Sequence, residues 1–186
     1  MKSSMLKAAV VAMAAIIGLA MGPINTQAAT KGEIEASVNA AKARFVKDVK
    51  GANEYLKIAK GILVMPNITK AGFVVGAQYG NGALQVGGKT VSYYSLAGAS
   101  LGFQAGAEKY DMVILFITDE ALKKFRASKG WEAGVDAEVT MIAAGADVTV
   151  ETLRSQSPVV GFVIDQKGLM GGVSVKGAKF SKIHPK

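Results

Sequence analysis

Apolar residues recur every three or four positions between Glu33 and Lys60. At 100° per residue they fall in a stripe about 80° wide, which is typical of an amphipathic helix. Thr30, three residues before Glu33, matches a capping box that begins the helix, and Gly61 matches a stop. The pattern therefore predicts one long N-terminal amphipathic helix. Its stripe comprises Ile34, Val38, Ala41, Phe45, Val49, Ala52, Leu56 and Ala59.

Beyond Gly61 the helical spacing gives way to short apolar runs separated by turn residues, for example at 66–67, 79–82 and 87–88. Short runs with frequent turns are typical of antiparallel sheets. One interruption near 119–128 has the pattern of a short helix. The sequence therefore predicts an α+β fold, a mainly antiparallel β barrel or sandwich with the long N-terminal helix and that short helix. The predicted strands are 62–65, 72–78, 83–86, 90–95, 98–105, 112–117, 135–142, 159–164 and 169–175.

Glycine recurs at every fourth position in two of the strand-like segments, 72–80 and 98–106. Because side chains alternate between the two faces of a strand, this spacing leaves one face of each segment nearly bare. Glycine weakens a strand, so the arrays indicate that close approach of another group, or bending, is required there. We predict a structural role for Gly72, Gly76, Gly80, Gly98, Gly102 and Gly106.

The first 28 residues have the three parts of a secretory signal peptide. Lys2 and Lys7 give a positive start, 8–21 is an apolar segment of 14 residues, and Thr26-Gln27-Ala28 matches a cleavage site. The apolar segment is shorter than the about 20 residues that span a membrane. A retained signal anchor is the alternative. We expect cleavage near Ala28, a periplasmic or secreted product, and a single domain over 29–186.

Positive charge is in excess and is concentrated towards the C-terminus. Without residues 1–28 the chain has 20 Lys and Arg against 14 Asp and Glu, and 166–186 contains five lysines and no acidic residue. A surface of this kind favours anionic partners such as phospholipid head groups, lipopolysaccharide or nucleic acid. The alternative is a solvated face that maintains solubility.

The sequence shows no catalytic set. It has no cysteine, and its one histidine, His184, lies near the C-terminus without an evident partner. The glycine arrays lack the spacing of nucleotide-binding loops. Asp136 and Glu138 stand two apart on a predicted strand, where they either act as the paired carboxylates of a hydrolase or, as is usual for such charges, face solvent. We predict a protein that is not an enzyme and binds neither a cofactor nor a metal ion.

Four segments, 59–73, Tyr93-Tyr94, 98–107 and 161–171, closely resemble the SYLF domain family, also called the Ysc84-type actin-binding domain. The most specific matches are Lys70-Ala-Gly-Phe73 and Lys167-Gly-Leu169. The resemblance extends over about 33–183, nearly all of the chain beyond the leader. With its predicted signal peptide, the chain resembles the exported bacterial branch of that family.

The resemblance implies a lipid-binding module. Eukaryotic members bind phosphoinositides and some bind actin. For an exported bacterial protein the resemblance implies an anionic phospholipid membrane surface as the partner, and neither actin nor nucleic acid. The role that the family gives to a basic N-terminal helix falls, by position, on Lys42, Arg44, Lys47, Lys50 and Lys57. The predicted lipid-binding set also includes the C-terminal lysines Lys176, Lys179 and Lys182.

The sequence supports two hypotheses for function. The first is a non-enzymatic lipid-binding module of the bacterial envelope, which associates with anionic head groups through basic surface residues. The alternative is an envelope structural or interaction protein that binds a protein, glycan or polyanion. Whether the helix inserts into the membrane or packs on its own sheet is left open, although the alanines in its stripe favour packing.

Overall fold

The computed structural model describes residues 29–142, 148–165, 168–169 and 175–186, with side chains for all of these except 73–75, 100–107, 156 and 168–169. The predicted signal peptide, 1–28, lies outside the described residues. The helices are α1 (Lys31–Asp48), α2 (Ala52–Ile58), α3 (Asp119–Ala127) and α4 (Val150–Gln156). The strands are β1 (Gly61–Val86), β2 (Lys89–Phe116), β3 (Gly130–Glu132), β4 (Thr140–Met141), β5 (Val159–Asp165), β6 (Gly168–Leu169) and β7 (Lys179–Ile183).

The N-terminal helix begins at the predicted capping box. The Thr30 hydroxyl oxygen accepts a hydrogen bond from the Glu33 backbone N–H at 3.3 Å, and the Glu33 carboxylate accepts one from the Thr30 N–H at 2.7 Å. Hydrogen bonds from Thr30 lower the pKa of the Glu33 carboxyl, with the larger effect from the backbone N–H and the smaller from the hydroxyl. The prediction of one continuous helix to Lys60 was wrong, because the chain breaks after Asp48 and Gly51 adopts φ = 84° before α2 begins.

Strands β1 and β2 form one long antiparallel hairpin, of 26 and 28 residues, that closes through Gly87 and Gly88 at positive φ. The described sheet has seven strands in the order β3-β7-β2-β5-β4, with β1 also paired to β2 and β6 to β5. All of these strand pairs are antiparallel except β4 with β5. The sheet curls into a half-barrel, so the predicted α+β, mainly antiparallel class is confirmed.

Several predicted boundaries were wrong. The expected turns at 66–67 and 79–82 are not chain reversals, because β1 continues through both segments. At 66–67 the strand has a register shift, between Met65 and Ile68. Most of 135–142 is turn and loop, and only Thr140–Met141 pairs as a strand. The helix expected near 119–128 is confirmed as α3, whereas α4 was not predicted.

The sheet is buried on both faces between two apolar clusters. On one face the apolar stripe of α1 packs against odd-numbered residues of β2 and against Phe162 of β5. The ring centroids of Phe45 and Phe162 are 5.1 Å apart. On the other face α3 and β3 bring Phe125 and Trp131 against Phe116. Burial on both sides explains why the strand ends are continuously apolar rather than alternating.

Two glycines of β1 permit the first and last parts of the same strand to meet. A Cβ added to Gly82 would overlap the Val64 carbonyl oxygen and lie 2.9 Å from the Met65 Cα. A Cβ added to Gly80 would lie 2.9 Å from Ile68 Cγ1. Real Cβ atoms do not make such contacts without rearrangement. The strand therefore folds over itself where it lacks side chains.

The remaining predicted glycines have varied surroundings. Gly98 lies where a Cβ would be 3.2 Å from the Ala178 Cα, and Gly72 has φ = 149° beside a register shift. Gly76, Gly102 and Gly106 pair in the hairpin with Ser100, Val74 and Gly72, respectively.

We predict that Gly82→Ala lowers the free energy of unfolding by about 1–3 kcal/mol, because the added methyl group must displace backbone rather than a flexible side-chain end. Urea denaturation measures the change. The control is Gly32→Ala in α1, where a Cβ meets no atom within 4 Å and alanine favours the helix. Equal stability of Gly82→Ala and the wild type would contradict the close approach.

Candidate functional site

Helix α1 is held to the hairpin by polar contacts on both of its flanks. On one flank the Glu35 carboxylate accepts hydrogen bonds from the Tyr93 hydroxyl at 2.5 Å and from the Thr90 hydroxyl at 3.2 Å. The Lys42 ammonium donates to the Gln85 side-chain oxygen at 3.1 Å. Lys42, a predicted lipid ligand, is therefore part of the contact between the helix and its own sheet.

On the other flank Arg44 forms an ion pair with Asp111. Both Nη2, at 2.5 Å, and Nε, at 2.7 Å, lie against Asp111 Oδ2, while Oδ1 accepts a hydrogen bond from the Asn67 N–H at 2.8 Å. The Asp111 side chain is only 5% exposed, so its charge depends on these partners. Arg44, also a predicted lipid ligand, has a structural role in this arrangement.

The other predicted cations of the N-terminal region are exposed. Lys47 lies in the last turn of α1, Lys50 follows the helix, and Lys57 lies in the last turn of α2. None of the three forms an ion pair with another described residue. Two exposed acids, Asp48 and Glu54, alternate with them, so the local excess of positive charge is small.

The predicted C-terminal lysines do not lie on one face. Lys179 pairs with Ala97 and Lys182 with Tyr94 in the β2–β7 register, so the two lysines project from opposite faces of the sheet. Lys176 lies in the preceding turn, beside Gly134. The structure therefore does not assemble the eight predicted cations into a single site.

Two lysines that were not predicted join this region. The Lys31 N–H donates to the Lys186 carbonyl oxygen at 2.8 Å, which brings the start of α1 to the end of the chain. We call Lys31, Lys179, Lys182 and Lys186 the C-terminal basic edge. All four are exposed, and none forms an ion pair with another described residue. The contact joins positions 155 apart, and no local pattern in the sequence indicates it.

The cavities show no catalytic constellation among the described residues. One of about 410 Å³ is lined by Glu138 and Lys176 together with apolar side chains, and one of about 80 Å³ lies beside Arg44 and Asp111. No group of three His, Cys, Asp or Glu residues in the described part of the chain is placed to hold a metal ion. Within the same residues, no helix is long and apolar enough to cross a membrane.

The paired-carboxylate alternative does not fit the structure. Asp136 lies in a turn rather than on a strand, and its carboxylate accepts a hydrogen bond from the Glu132 N–H at 2.6 Å. Glu138 lines the larger cavity beyond that turn. The strand geometry that would put both carboxylates on one side is therefore absent.

Comparison with known proteins identifies the family. A family model described as "Ysc84: Las17-binding protein actin regulator" matches residues 97–184. SH3 domain-containing YSC84-like protein 1 of Homo sapiens is 30% identical over 125 residues, which cover 64% of this chain and 36% of the relative. LAS seventeen-binding protein 3 of Saccharomyces cerevisiae is 31% identical over 150 residues, 73% of this chain and 32% of the relative.

The chain belongs to the SYLF family, for which Ysc84 names the family model. The resemblance to the SYLF family that was inferred from the sequence is confirmed, and its exported bacterial branch stays a prediction. The chain spans about a third of the length of these relatives. SYLF domains are binding and regulatory domains by the description of the family model. The matched segment runs from the middle of β2 through β7, so it includes Asp111, Lys179 and Lys182 but not α1.

We predict that Arg44→Met lowers the free energy of unfolding by about 2 kcal/mol, because the buried Asp111 carboxylate loses its charge partner. The matched control is Lys47→Met on the same helix, which should change stability by no more than about 0.5 kcal/mol. Urea denaturation of both variants measures the effect. Equal stabilities of the two would show that the ion pair contributes nothing.

We predict a loss of stability at high pH from the raised pKa values of two tyrosines. Burial, and then the hydrogen bond to Glu35 and its charge, raise the pKa of Tyr93 to about 12, and burial raises the pKa of Tyr110 to about 12. The Tyr110 hydroxyl donates to the Gln78 side-chain oxygen. Both pKa values exceed that of a free phenol, so the folded state holds these protons more tightly than the unfolded state. The stability that this difference contributes is fully present below pH 10 and is lost as the pH rises through 12.

Urea denaturation of wild type and Tyr110→Phe at a series of pH values from 9 to about 12 measures this effect. The stability of the wild type should fall more steeply above pH 10 than that of the variant, since lysine ionisation affects both. Parallel curves for the two proteins would contradict the prediction.

Proposed function

We propose that the protein is a non-enzymatic lipid-binding module of the bacterial envelope, periplasmic or secreted after cleavage near Ala28. It associates with anionic phospholipid head groups through the C-terminal basic edge. The observation that supports the proposal is the exposure of four lysines on β7 and where the start of α1 meets the end of the chain, none of them paired with an acid among the described residues. Unpaired exposed lysines remain available to phosphate groups.

The strength of such an association follows from charge. Near an anionic membrane a basic side chain contributes roughly 1 kcal/mol, so even a few of these lysines together give measurable binding without a deep pocket. The attraction acts over about 8–10 Å at physiological ionic strength, and added salt weakens it. Lys47, Lys50 and Lys57 lie at or after the C-terminal end of α1, where Asp48 and Glu54 offset part of their charge, so they are not included in this set.

Helix α1 contributes to this function while docked. Its apolar stripe, including Val38 and Phe45, is fully buried against the sheet, and Arg44 and Lys42 fix its flanks. Insertion of that stripe into lipid would require the helix to leave its own core. We therefore assign membrane contact to lysines of the folded domain rather than to an inserted helix.

The alternative, an envelope interaction protein, is favoured by one observation. The family model is described as a Las17-binding protein, and the Saccharomyces cerevisiae relative is named a LAS seventeen-binding protein. An actin-linked partner is not expected for an exported bacterial protein, so this alternative takes a protein, glycan or polyanion of the envelope as the partner. It predicts saturable binding to envelope material without a lipid preference.

The test is co-sedimentation of the purified protein with vesicles of phosphatidylcholine alone or mixed with phosphatidylglycerol. We expect binding to the anionic vesicles only, with affinity that falls as salt rises. Charge reversal by Lys179→Glu with Lys182→Glu should weaken binding about tenfold or more. The charge-matched control is Lys123→Glu with Arg154→Glu, which changes exposed cations of α3 and α4 away from β7.

Equal binding to neutral and anionic vesicles, or binding that is insensitive to salt, contradicts the proposal. The same loss in the control variant would show that net charge alone, and not the C-terminal basic edge, governs binding.

A further inference from the structure

The middle of the β1–β2 hairpin is two-stranded in the part of the chain that the structure describes. The second edge of β2 pairs with β7 over Tyr93–Ala97 and with β5 over Asp111–Phe116, and between these stretches the described residues provide no third strand. We call 71–79 of β1 with 97–107 of β2 the ribbon. None of its described side chains belongs to either apolar cluster.

The ribbon is free of charge over an unusual length. By sequence, no charged residue occurs from Ala71 to Gly88 or from Thr90 to Ala107. A surface strand usually carries charged side chains, which keep it in water and prevent edge association. The absence of charge on both paired strands therefore indicates that this surface meets something less polar than water.

One face of the ribbon is apolar and exposed. Ala77 pairs with Ala99 and Tyr79 with Ala97, so these four side chains project from the same face. All four residues are exposed, and Tyr79 is 55% exposed. The opposite face at this end is turned inward, since Gln78 and Gly80 are buried. We call Ala77, Tyr79, Ala97 and Ala99 the ribbon face.

Lysines bracket the ribbon face. Lys179 of the C-terminal basic edge is the cross-strand partner of Ala97 and so projects from the same face, with Ala97 between it and Tyr79. At the other end Lys109 is exposed and lines the small cavity beside Arg44 of α1. Glu108 and Glu132 also lie near the two ends, opposite Lys70 and Lys179 in register, and neither forms an ion pair with a described residue.

From this geometry we infer that the ribbon face enters the interfacial layer of an anionic lipid bilayer, with Lys179 and Lys109 at the phosphates. The inference rests on the proposed function and adds to it the apolar surface that the membrane contacts. An apolar patch flanked by lysines, with a tyrosine at the boundary, is the pattern of interfacial binding. Charge complementarity with anionic head groups selects the bilayer over a second copy of this chain, whose ribbon would bring the same lysines together.

The depth of entry is limited by the backbone. A two-stranded ribbon leaves hydrogen-bonding groups on its edges, and these cannot be left without partners in hydrocarbon. The head-group region supplies water and phosphate oxygens to those groups. The ribbon therefore lies at the boundary of head groups and acyl chains and does not cross the bilayer.

The test uses single cysteines in a chain that has none of its own. Ala77→Cys and Ala99→Cys are labelled with an environment-sensitive fluorophore and mixed with phosphatidylglycerol-containing vesicles. The matched control is Ala127→Cys, an exposed alanine at the end of α3, which covers the other face of the sheet. We expect a blue shift and quenching by nitroxide lipids at 77 and 99, and neither at 127.

A second set of variants tests the contribution to affinity. Ala77→Asp should reduce binding to anionic vesicles about fivefold or more, because a carboxylate meets both apolar lipid and anionic phosphates. Ala127→Asp should have little effect. Both positions are exposed, so circular dichroism should show an intact fold for each.

The outcomes distinguish the two proposals. Vesicle binding with unchanged fluorescence at 77 and 99 overturns the ribbon inference and leaves the lipid-binding function intact. Absence of vesicle binding by the unlabelled protein overturns the proposed function and the ribbon inference with it. A blue shift without vesicles that grows with protein concentration would assign the ribbon face to a second copy and overturn the inference.

Discussion

The docking of α1 on the β1–β2 hairpin determines what the rest of the surface can do. The apolar stripe of the helix closes one of the two cores, with Phe45 against Phe162, and the Arg44–Asp111 ion pair fixes its flank. An ion pair with one partly buried partner contributes modestly when intact but is costly to break, so the helix is held in one place. A helix held in this way offers its polar side to a partner and keeps its apolar side in the fold.

That constraint relocates the membrane contact. In a protein whose amphipathic helix were free, the helix would be the obvious lipid anchor. Here the ribbon has an exposed apolar face, and the C-terminal basic edge has four exposed lysines without ion-pair partners among the described residues. Lys179 belongs to both surfaces, because the register of β7 on β2 puts it beside Ala97. Lys179 thus connects the basic edge to the ribbon face in the proposed function.

Much of this architecture was predictable from the sequence, because local rules govern it. The capping box at Thr30, the apolar stripe, helix α3 and the abundance of strands follow from spacing alone. The break at Gly51 was missed because the apolar spacing continues without interruption through Val49 and Ala52, on either side of the break. The glycines at 80 and 82 were interpreted as a turn, whereas they permit packing of β1 against itself.

The site was less predictable, for a physical reason. Lys42 and Arg44 look like surface cations in a helical wheel, and only the tertiary fold brings Gln85 and Asp111, 43 and 67 residues away, to their side chains. The Lys31–Lys186 contact likewise joins the two ends of the described chain. Charge can be counted from a sequence, but whether a cation is already paired depends on contacts that sequence spacing does not record.

The most direct test of the account is a distance measurement across the fold in the lipid-bound state. Spin labels are attached at Ala40→Cys on α1 and Ala127→Cys on α3, which cover opposite faces of the sheet. Pulsed electron paramagnetic resonance measures the distance between the two labels. The account predicts the same distance distribution in solution and on anionic vesicles, because α1 stays docked. A longer distance on vesicles would show that the helix leaves the sheet to enter lipid, and would contradict the central claim.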